Sequence, residues 1–534
     1  MAISPQQDAE GVVRVSVLSN GSRVDDTVQL VSVEVRHAAN KISSARLVLL
    51  DGDMPNGSFP LSDTDTFQPG AVITLRAGYG ESEATIFEGI VVRHEVKISG
   101  QNDSRLVIEC RDKTVGMTVG RHSATFLGQT DGQIITRLLA DHGFAADVAP
   151  TTLQHEAVVQ HLCTDWDFML ARASVNGLLV TVHGGAVHVQ QPQSTDSPTL
   201  GMTYGVDLIE FSARTAVPDH KQLREDDPTR VQGHIKFQGS AKARVGGLIE
   251  LKGVGARFNG KVWVAAVLHS LSDGDWFTEV EFGLPPQWPA ECCDVSLVAS
   301  GVLPAGSPGV AGLQIGVVAQ LHGDPAGENR VRVTVPMPGG DNAGVWARLA
   351  HLQASNGFGT FFVPEVGDEV VLGYLGNEPS QPVILGSLYS SQRRPPCALE
   401  ADNSTKAIVT RSHSKIEFND DDKVITVSTP GGNRIVLGDK DRSIVLSDQH
   451  QNTVALTANG ITLASLKDIV LNARGRITLD AVGAVAIAAK GDVTSTGLNV
   501  RCEAQLGFEG KGAASAELSA SGQTVVKGAM VLIN

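Results

Sequence analysis

The sequence predicts a mainly β chain of several domains, and three observations carry that prediction. Aromatic residues make up only 5% of the 534 residues while glycine reaches 57, a balance that favours short strands and tight turns over large helical cores. Residues 12–18, 44–51, 71–80, 85–98 and 104–112 alternate or run apolar over strand lengths. Beyond residue 400 an apolar–x–apolar pair recurs every eight residues. The length exceeds what one core can organise and suits about three domains.

Taken in order, residues 1–300 read as two β-rich, barrel-like units with a helical insertion. Thr130 can cap a helix whose stripe is Ile134, Ile135, Leu138 and Leu139, closed by Gly143. A second helix follows Thr164, with Trp166, Met169, Leu170 and Ala173 on one face, Asp165 and Asp167 at its positive start, and Gly177 at its end. Strand patterns then resume at LLVTVHGG, AVHVQQ, KVWVAAVLHSL and FTEVEFGL. Residues 284–312 are rich in Pro, Gly and Ala and read as a linker. Within 301–395, the runs LQIGVVAQL, RVRVTVPM, VWARLA, FFVP plus DEVVLGYL, and QPVILGSLY suit a small barrel such as an OB fold.

The third region, 396–534, is different in texture. From about residue 400 it has one proline, Pro430, and neither Trp nor Tyr. Ile461, Ile469, Ile477, Val485 and Val493 are spaced by eight, and Leu463, Leu471, Leu479 and Ile487 keep the same step. Gly475, Gly483 and Gly491 mark the turns. Upstream the beat loosens (Ile425, Ile435, Ile444, Val454), and downstream Leu498 to Leu506 and Val500 to Phe508 resume it. A short strand with one apolar face cannot bury that face alone, so it must stack on copies of itself. One chain could wind three octads per coil, or three chains could interleave, and the period does not choose between them.

Composition also excludes classes of function. Asp and Glu total 58 against 43 Lys and Arg, a net charge of −15 that repels phosphate backbones, so no nucleic-acid partner is expected. The six cysteines form no CxxC pair, which argues against a disulfide scaffold or zinc finger. No apolar run approaches a membrane span, and the N-terminus lacks the basic and apolar regions of a signal peptide. Cytoplasmic assembly is expected, with any export carried out by other components.

Reactive constellations are sparse. His183 and His188 flank a hairpin turn, the residues 155, 161 and 163 bring two histidines near Cys163, and Cys292–Cys293 lies in the linker. Each reads better as a structural feature than as a metal or nucleophile site. Asn419–Asp422 reads as a solvated turn and Arg393–Arg394 as a linker pair. Asp468, Asp480 and Asp492 are spaced by twelve, out of phase with the octads, and no Trp or Tyr platform accompanies them for sugar binding. A tailspike-like polysaccharide-degrading β-helix is therefore the alternative reading; no catalytic residue, metal ligand or cofactor is expected.

At these residues the chain resembles the VgrG and tail-spike family of contractile injection systems and T-even-like phages. The helix TDWDFMLARASVNG (164–177), the strand YGVDLIEFSAR (204–214), the barrel with PEVGDEV at 364–370 and the octad run carry the resemblance. The ending GQTVVKGAMVLIN resembles spikes of extracellular particles of the antifeeding and virulence-cassette types. The resemblance implies a tail-hub-like domain, an OB-fold domain and a C-terminal intertwined triple-stranded β-helix in a homotrimer. It implies a non-enzymatic central spike of a released particle, docked on tail tube and baseplate proteins, that contacts a target envelope transiently. The core of the needle would be Ile461, Leu463, Ile469, Leu471, Ile477, Leu479, Val485, Ile487 and Val493. Met530, Val531, Leu532, Ile533 and Asn534 would seat a PAAR-repeat tip protein that carries its own metal.

Overall fold

The alternating segments of the first half form strands, and their pairing joins them into one sheet. The computed structural model describes residues 3–100, 103–192, 197–215, 231–284, 309–336 and 344–533, and the chain divides into two units, Met1–Pro395 and Pro396–Asn534. In the first unit a 13-stranded sheet includes Val13–Ser19, Leu30–Ala38, Ser44–Leu50, Val72–Tyr79, Ser82–Ile98 and Ser104–Arg111 on one side. On the other lie Val231–Gln238, Gly260–Ser272 and Asp275–Phe282. Period-two patterning decides which side chains go inward: Trp276, Thr278, Val280 and Phe282 are buried while their neighbours are not.

Two cores result, as two β-rich units require. One gathers Val33, Leu47, Ile73, Leu75 and Ile108, the other Ile235, Phe237, Val264, Val280 and Phe282. The seam is the antiparallel pairing of Leu30–Ala38 with Gly260–Ser272, from Ala266 opposite Ala38 to Ser272 opposite Ser32. The two halves of the hub, both within Met1–Pro395, are therefore stitched through continuous backbone hydrogen bonds.

The helical insertion has its own core, built from both helices. Helix α1 spans Asp131–Asp141; Thr130 accepts from the Gln133 N–H, and the Gln133 side chain accepts from the Thr130 N–H, a reciprocal cap. Its buried stripe is the predicted one, and Gly143 takes the left-handed conformation (φ 75°) that ends it. Helix α2 spans Asp165–Val175 and buries Trp166, Phe168, Met169, Ala171 and Ala173. Leu170 is only partly buried, so the predicted face is corrected. Phe168 stacks on Phe126 (5.7 Å between centroids), so α2 is packed on more than one side.

Most of the predicted linker, 285–308 with Cys292 and Cys293, lies outside the described residues. Beyond it five strands close a barrel: Gln314–Gln320, Val331–Thr334, Val345–Leu349, Glu369–Tyr374 and Pro382–Leu388. Its core is Val318, Val331, Val333, Ala347, Val370, Leu372 and Ile384. The FFVP run forms no strand. The barrel closes by pairing Val345–Leu349 with Pro382–Leu388, which leaves Phe361 and Phe362 exposed in the intervening excursion.

The second unit opens with seven five-residue strands paired antiparallel in chain order: Thr405–Val409, Lys415–Asn419, Val424–Ser428, Arg434–Gly438, Ser443–Ser447, Thr453–Thr457 and Gly460–Ala464. The loose upstream beat now has a cause. The first five turns take four or five residues, so apolar pairs recur at nine or ten, until a two-residue turn brings in Ile461. From 465 to 533 the described chain forms no strand pair with itself. It bends instead at 466–467, 474–475, 482–483, 490–491, 498, 505–506, 513–514, 521–522 and 529. Eight-residue spacing thus persists almost to the C-terminus.

Candidate functional site

An antiparallel sheet one layer thick has two faces, and here they differ in chemistry. On one face Ile408 stands opposite Ile416, Ile416 opposite Val427, Val427 opposite Ile435, and Ile435 opposite Leu446. Beside that column Phe418, Ile425, Leu437, Ile444, Leu456 and Ile461 form a second, continuous one. Such cross-strand pairs stabilise sheets when they are covered. These are not: Ile425 and Val427 each retain 37% exposure, and Ile461 retains 73%. Covering the columns would contribute roughly 1 kcal/mol per side chain, on the order of 10 kcal/mol per chain.

The opposite face is mixed: Thr405, Lys415, Glu417, Thr426, Ser428, Ser443, Ser447 and Thr453 stand among Val409, Val424, Val436 and Val445, with Lys415 paired to Glu417. The turns are held by local polar contacts. Asn419 accepts from the Asp422 N–H (3.0 Å), Lys440 reaches Asp422 (2.6 Å), and Lys406 pairs with Asp420. The acidic run is therefore the turn between two strands. Asp448 accepts from the Asn452 side chain and from the His450 and Asn452 N–H groups, which holds its carboxyl below the usual range.

Beyond Leu463 the predicted core residues sit at matching places on successive arms. Ile469 and Leu471, Ile477 and Leu479, and Val485 and Ile487 are the third and fifth residues after the start of a bend, and Val493 continues the series. All are exposed in the single chain. Of the downstream series, Val500 and Phe508 lie on arms, whereas Leu498 and Leu506 lie at bends. Met530, Val531, Leu532 and Ile533 are exposed, and Asn534 lies outside the described residues. Asp468, Asp480 and Asp492 are exposed along the same arms.

The nucleophile candidates do not come together. Cys163 is buried, and burial pushes its thiol up to about 11, so the reactive thiolate is unavailable at neutral pH. His155 turns instead to the buried Asp131 (3.1 Å), which also accepts from Asn176 (2.8 Å). Among the described residues no group of three or more His, Cys, Asp or Glu side chains is placed to hold a metal ion.

One contact that sequence reading missed ties the barrel to the helical insertion. The Arg330 guanidinium donates to both carboxylate oxygens of Asp324 (2.6–3.2 Å) and to both of Glu156 (3.0 and 2.5 Å). Arg330 holds the Asp324 carboxyl well below the usual carboxylate range. Residues 174 apart gave no periodic signal that could have revealed the clamp.

Comparison with known proteins agrees with this architecture. Residues 314–389 match the type VI secretion system/phage-baseplate injector OB domain, and residues 9–225 and 215–273 match the Alg8 N-terminal domain. The chain is 30% identical over 125 residues to the type VI secretion system spike protein VgrG3 of Vibrio cholerae, covering 22% of this chain and 12% of that protein. It is 32% identical over 113 residues to the spike protein VgrG5 of Pseudomonas aeruginosa, covering 20% and 14%. The chain thus matches only a small fraction of these relatives' length. In fold it resembles an E. coli type VI secretion component described as similar to the T4 tail proteins gp27 and gp5 (TM-score 0.50, 14% identity, 70% of this chain and 99% of the other). It also resembles a chain of the lidded Francisella PdpA–VgrG complex (TM-score 0.51, 9% identity, 85% and 80%).

Residues 314–389 thus carry an injector-type OB domain, set in the chain between a β hub and a repeat region. In its matched segments and in its fold, the chain resembles the VgrG and phage tail-spike family.

Proposed function

We propose that this chain is the non-enzymatic central spike of a contractile, phage-tail-like injection system, working as a homotrimer in a released, extracellular particle. The hub, residues 1–300, docks on tail tube and baseplate proteins, and residues 396–534 form the needle. The observation that carries this reading is the uncovered apolar face of residues 405–464, continued by arms that form no strand pair among the described residues. A monomeric solenoid would satisfy those backbone groups by intrachain ladders. Two further copies, related by a three-fold axis, would cover the face and supply the missing pairs. Sheath contraction then supplies the work and the needle concentrates it on the envelope. Light scattering of the purified full chain is expected to give about three times the 56.2 kDa of one chain. A monomer that cleaves surface glycans would overturn the proposal.

The C-terminus seats the tip. Met530, Val531, Leu532 and Ile533 are consecutive, apolar and exposed, and tripling them makes a small platform with open strand edges that is costly to leave in water. A PAAR-type protein is the cap the family resemblance suggests. Deleting residues 530–534 is expected to abolish co-purification of the tip protein, by at least about tenfold, while the scattering mass stays that of the trimer. Retention of the tip protein by the truncated spike would remove these residues from the site.

A further inference from the structure

The helical insertion meets the second β unit of the hub along a cleft of about 210 Å³ whose chemistry the spike role does not use. One wall is the hairpin of Leu179–His183 and Ala186–Gln190, whose His183 and His188 rings stack 4.0 Å apart. The other wall is the loop 243–247. Gly246 adopts φ 84° there, and a Cβ on it would stand 3.7 Å from the Thr181 side chain, so the loop lies close against the hairpin. Trp263 and Leu179, both buried, line the cleft as well.

Three basic side chains border this space: His183, His188 and Arg244. Arg244 has no hydrogen bond or ion pair from its side chain to any described residue, in a chain whose net charge is −15. The nearby carboxylate is Asp147, on Ala145–Val148; it bonds His188 (3.2 Å) and also accepts from Gln190, and it is largely exposed. The stacked ring planes lie within 14° of each other, so their lone pairs cannot converge on one metal ion. Three basic groups that share one exposed carboxylate, with Arg244 bonded to none, suit an oxyanion ligand.

We propose that this cleft binds a single oxyanion group, a phosphate or a carboxylate, between Arg244 and the His183–His188 pair. The proposal rests on the hub alone and is independent of the needle. Burial, with smaller contributions from His188 and Arg244, holds His183 below its ordinary pKa, and a bound anion would relieve that repulsion. Two sources supply this chemistry, a free oxyanion and an acidic side chain of a neighbouring protein.

Calorimetric titration of the full-length spike at pH 6.0 and matched ionic strength tests the proposal, using inorganic phosphate in one arm and N-acetylglutamate amide in the other. Saturable binding of phosphate supports a free oxyanion; saturable binding of the glutamate derivative supports an acidic partner side chain. Arg244→Gln is expected to weaken whichever binds by at least about tenfold, and His183→Gln by a smaller factor. Both side chains are exposed, so the variants are expected to keep the fold, which circular dichroism checks. Binding of neither probe, or unchanged affinity in Arg244→Gln, overturns the proposal.

Discussion

Ile477→Asp is expected to prevent assembly of the needle outright. In the proposed trimer the substitution places three carboxylates in a dry interior that holds no cation to pair with them, and each buried unpaired charge costs several kcal/mol. Tripled, the loss is on the order of 10 kcal/mol, comparable to the whole stability typical of a domain. Ile477→Val removes one methylene from the same place and is expected to cost only about 1 kcal/mol per copy. Val482→Asp is the informative companion, because Val482 sits at a bend and is fully exposed. That variant is expected to assemble normally. Scattering mass and resistance of the needle to detergent separate the three. Normal assembly of Ile477→Asp would place the inward phase of the octads on the other residues.

The reason Ile477 can be chosen at all is that the octad is legible in the sequence. Period and glycine placement put bends at 474–475, 482–483 and 490–491, and the structure bends there. The helix caps were legible for the same local reason, since Thr130 and Gln133 satisfy each other within four residues. What is not local was not legible. Leu30–Ala38, the strand at the seam, alternates well, but Glu34, Arg36 and His37 lower its hydropathy and hide it among loops. The antiparallel meander upstream of Ile461 resembles a poor octad until the turn lengths are known. The Arg330 clamp and the His183–His188–Arg244 cleft join elements far apart in the chain, and a single sequence holds no record of that proximity. The candidate assembly face was half legible: its apolar pairs were visible, while their alignment into two columns depends on register.

Acid is expected to loosen the hub seam well before carboxylates titrate. His37 and His269 lie on the two strands that join the β units, Leu30–Ala38 and Gly260–Ser272, with their rings 6.4 Å apart. His37 donates from Nε2 to the Ile86 carbonyl (2.8 Å) and accepts at Nδ1 from the Ser43 hydroxyl (2.8 Å), so it is held as the neutral tautomer. His269 is fully buried against Trp276 and bonds Thr278 (3.0 Å); burial, helped by His37, pushes it down to about 3. An unfolded histidine titrates near 6.5, so between that pH and about 3 the unfolded chain binds the extra proton. Stability must therefore fall as pH falls, by about 1.4 kcal/mol per unit for His269, with His37, also lowered by burial, acting in the same direction. From pH 6.5 to 4.5 the His269 contribution is roughly 2 kcal/mol, because the unfolded histidine is only half protonated at the upper end. Asp324, whose carboxyl is depressed, keeps its contribution through that window and loses it only below the ordinary carboxylate range. Denaturant unfolding of the full chain followed by Trp fluorescence reports the seam, because Trp276 stacks on Tyr79 (5.5 Å) and lies beside His269. His269→Gln keeps a polar partner for Thr278 and cannot titrate. Its midpoint should be less sensitive to pH than the wild type's, by about 1.4 kcal/mol per unit between pH 6.5 and 4.5. If the two slopes coincide, the acid sensitivity of the hub does not reside in the buried histidine at its seam.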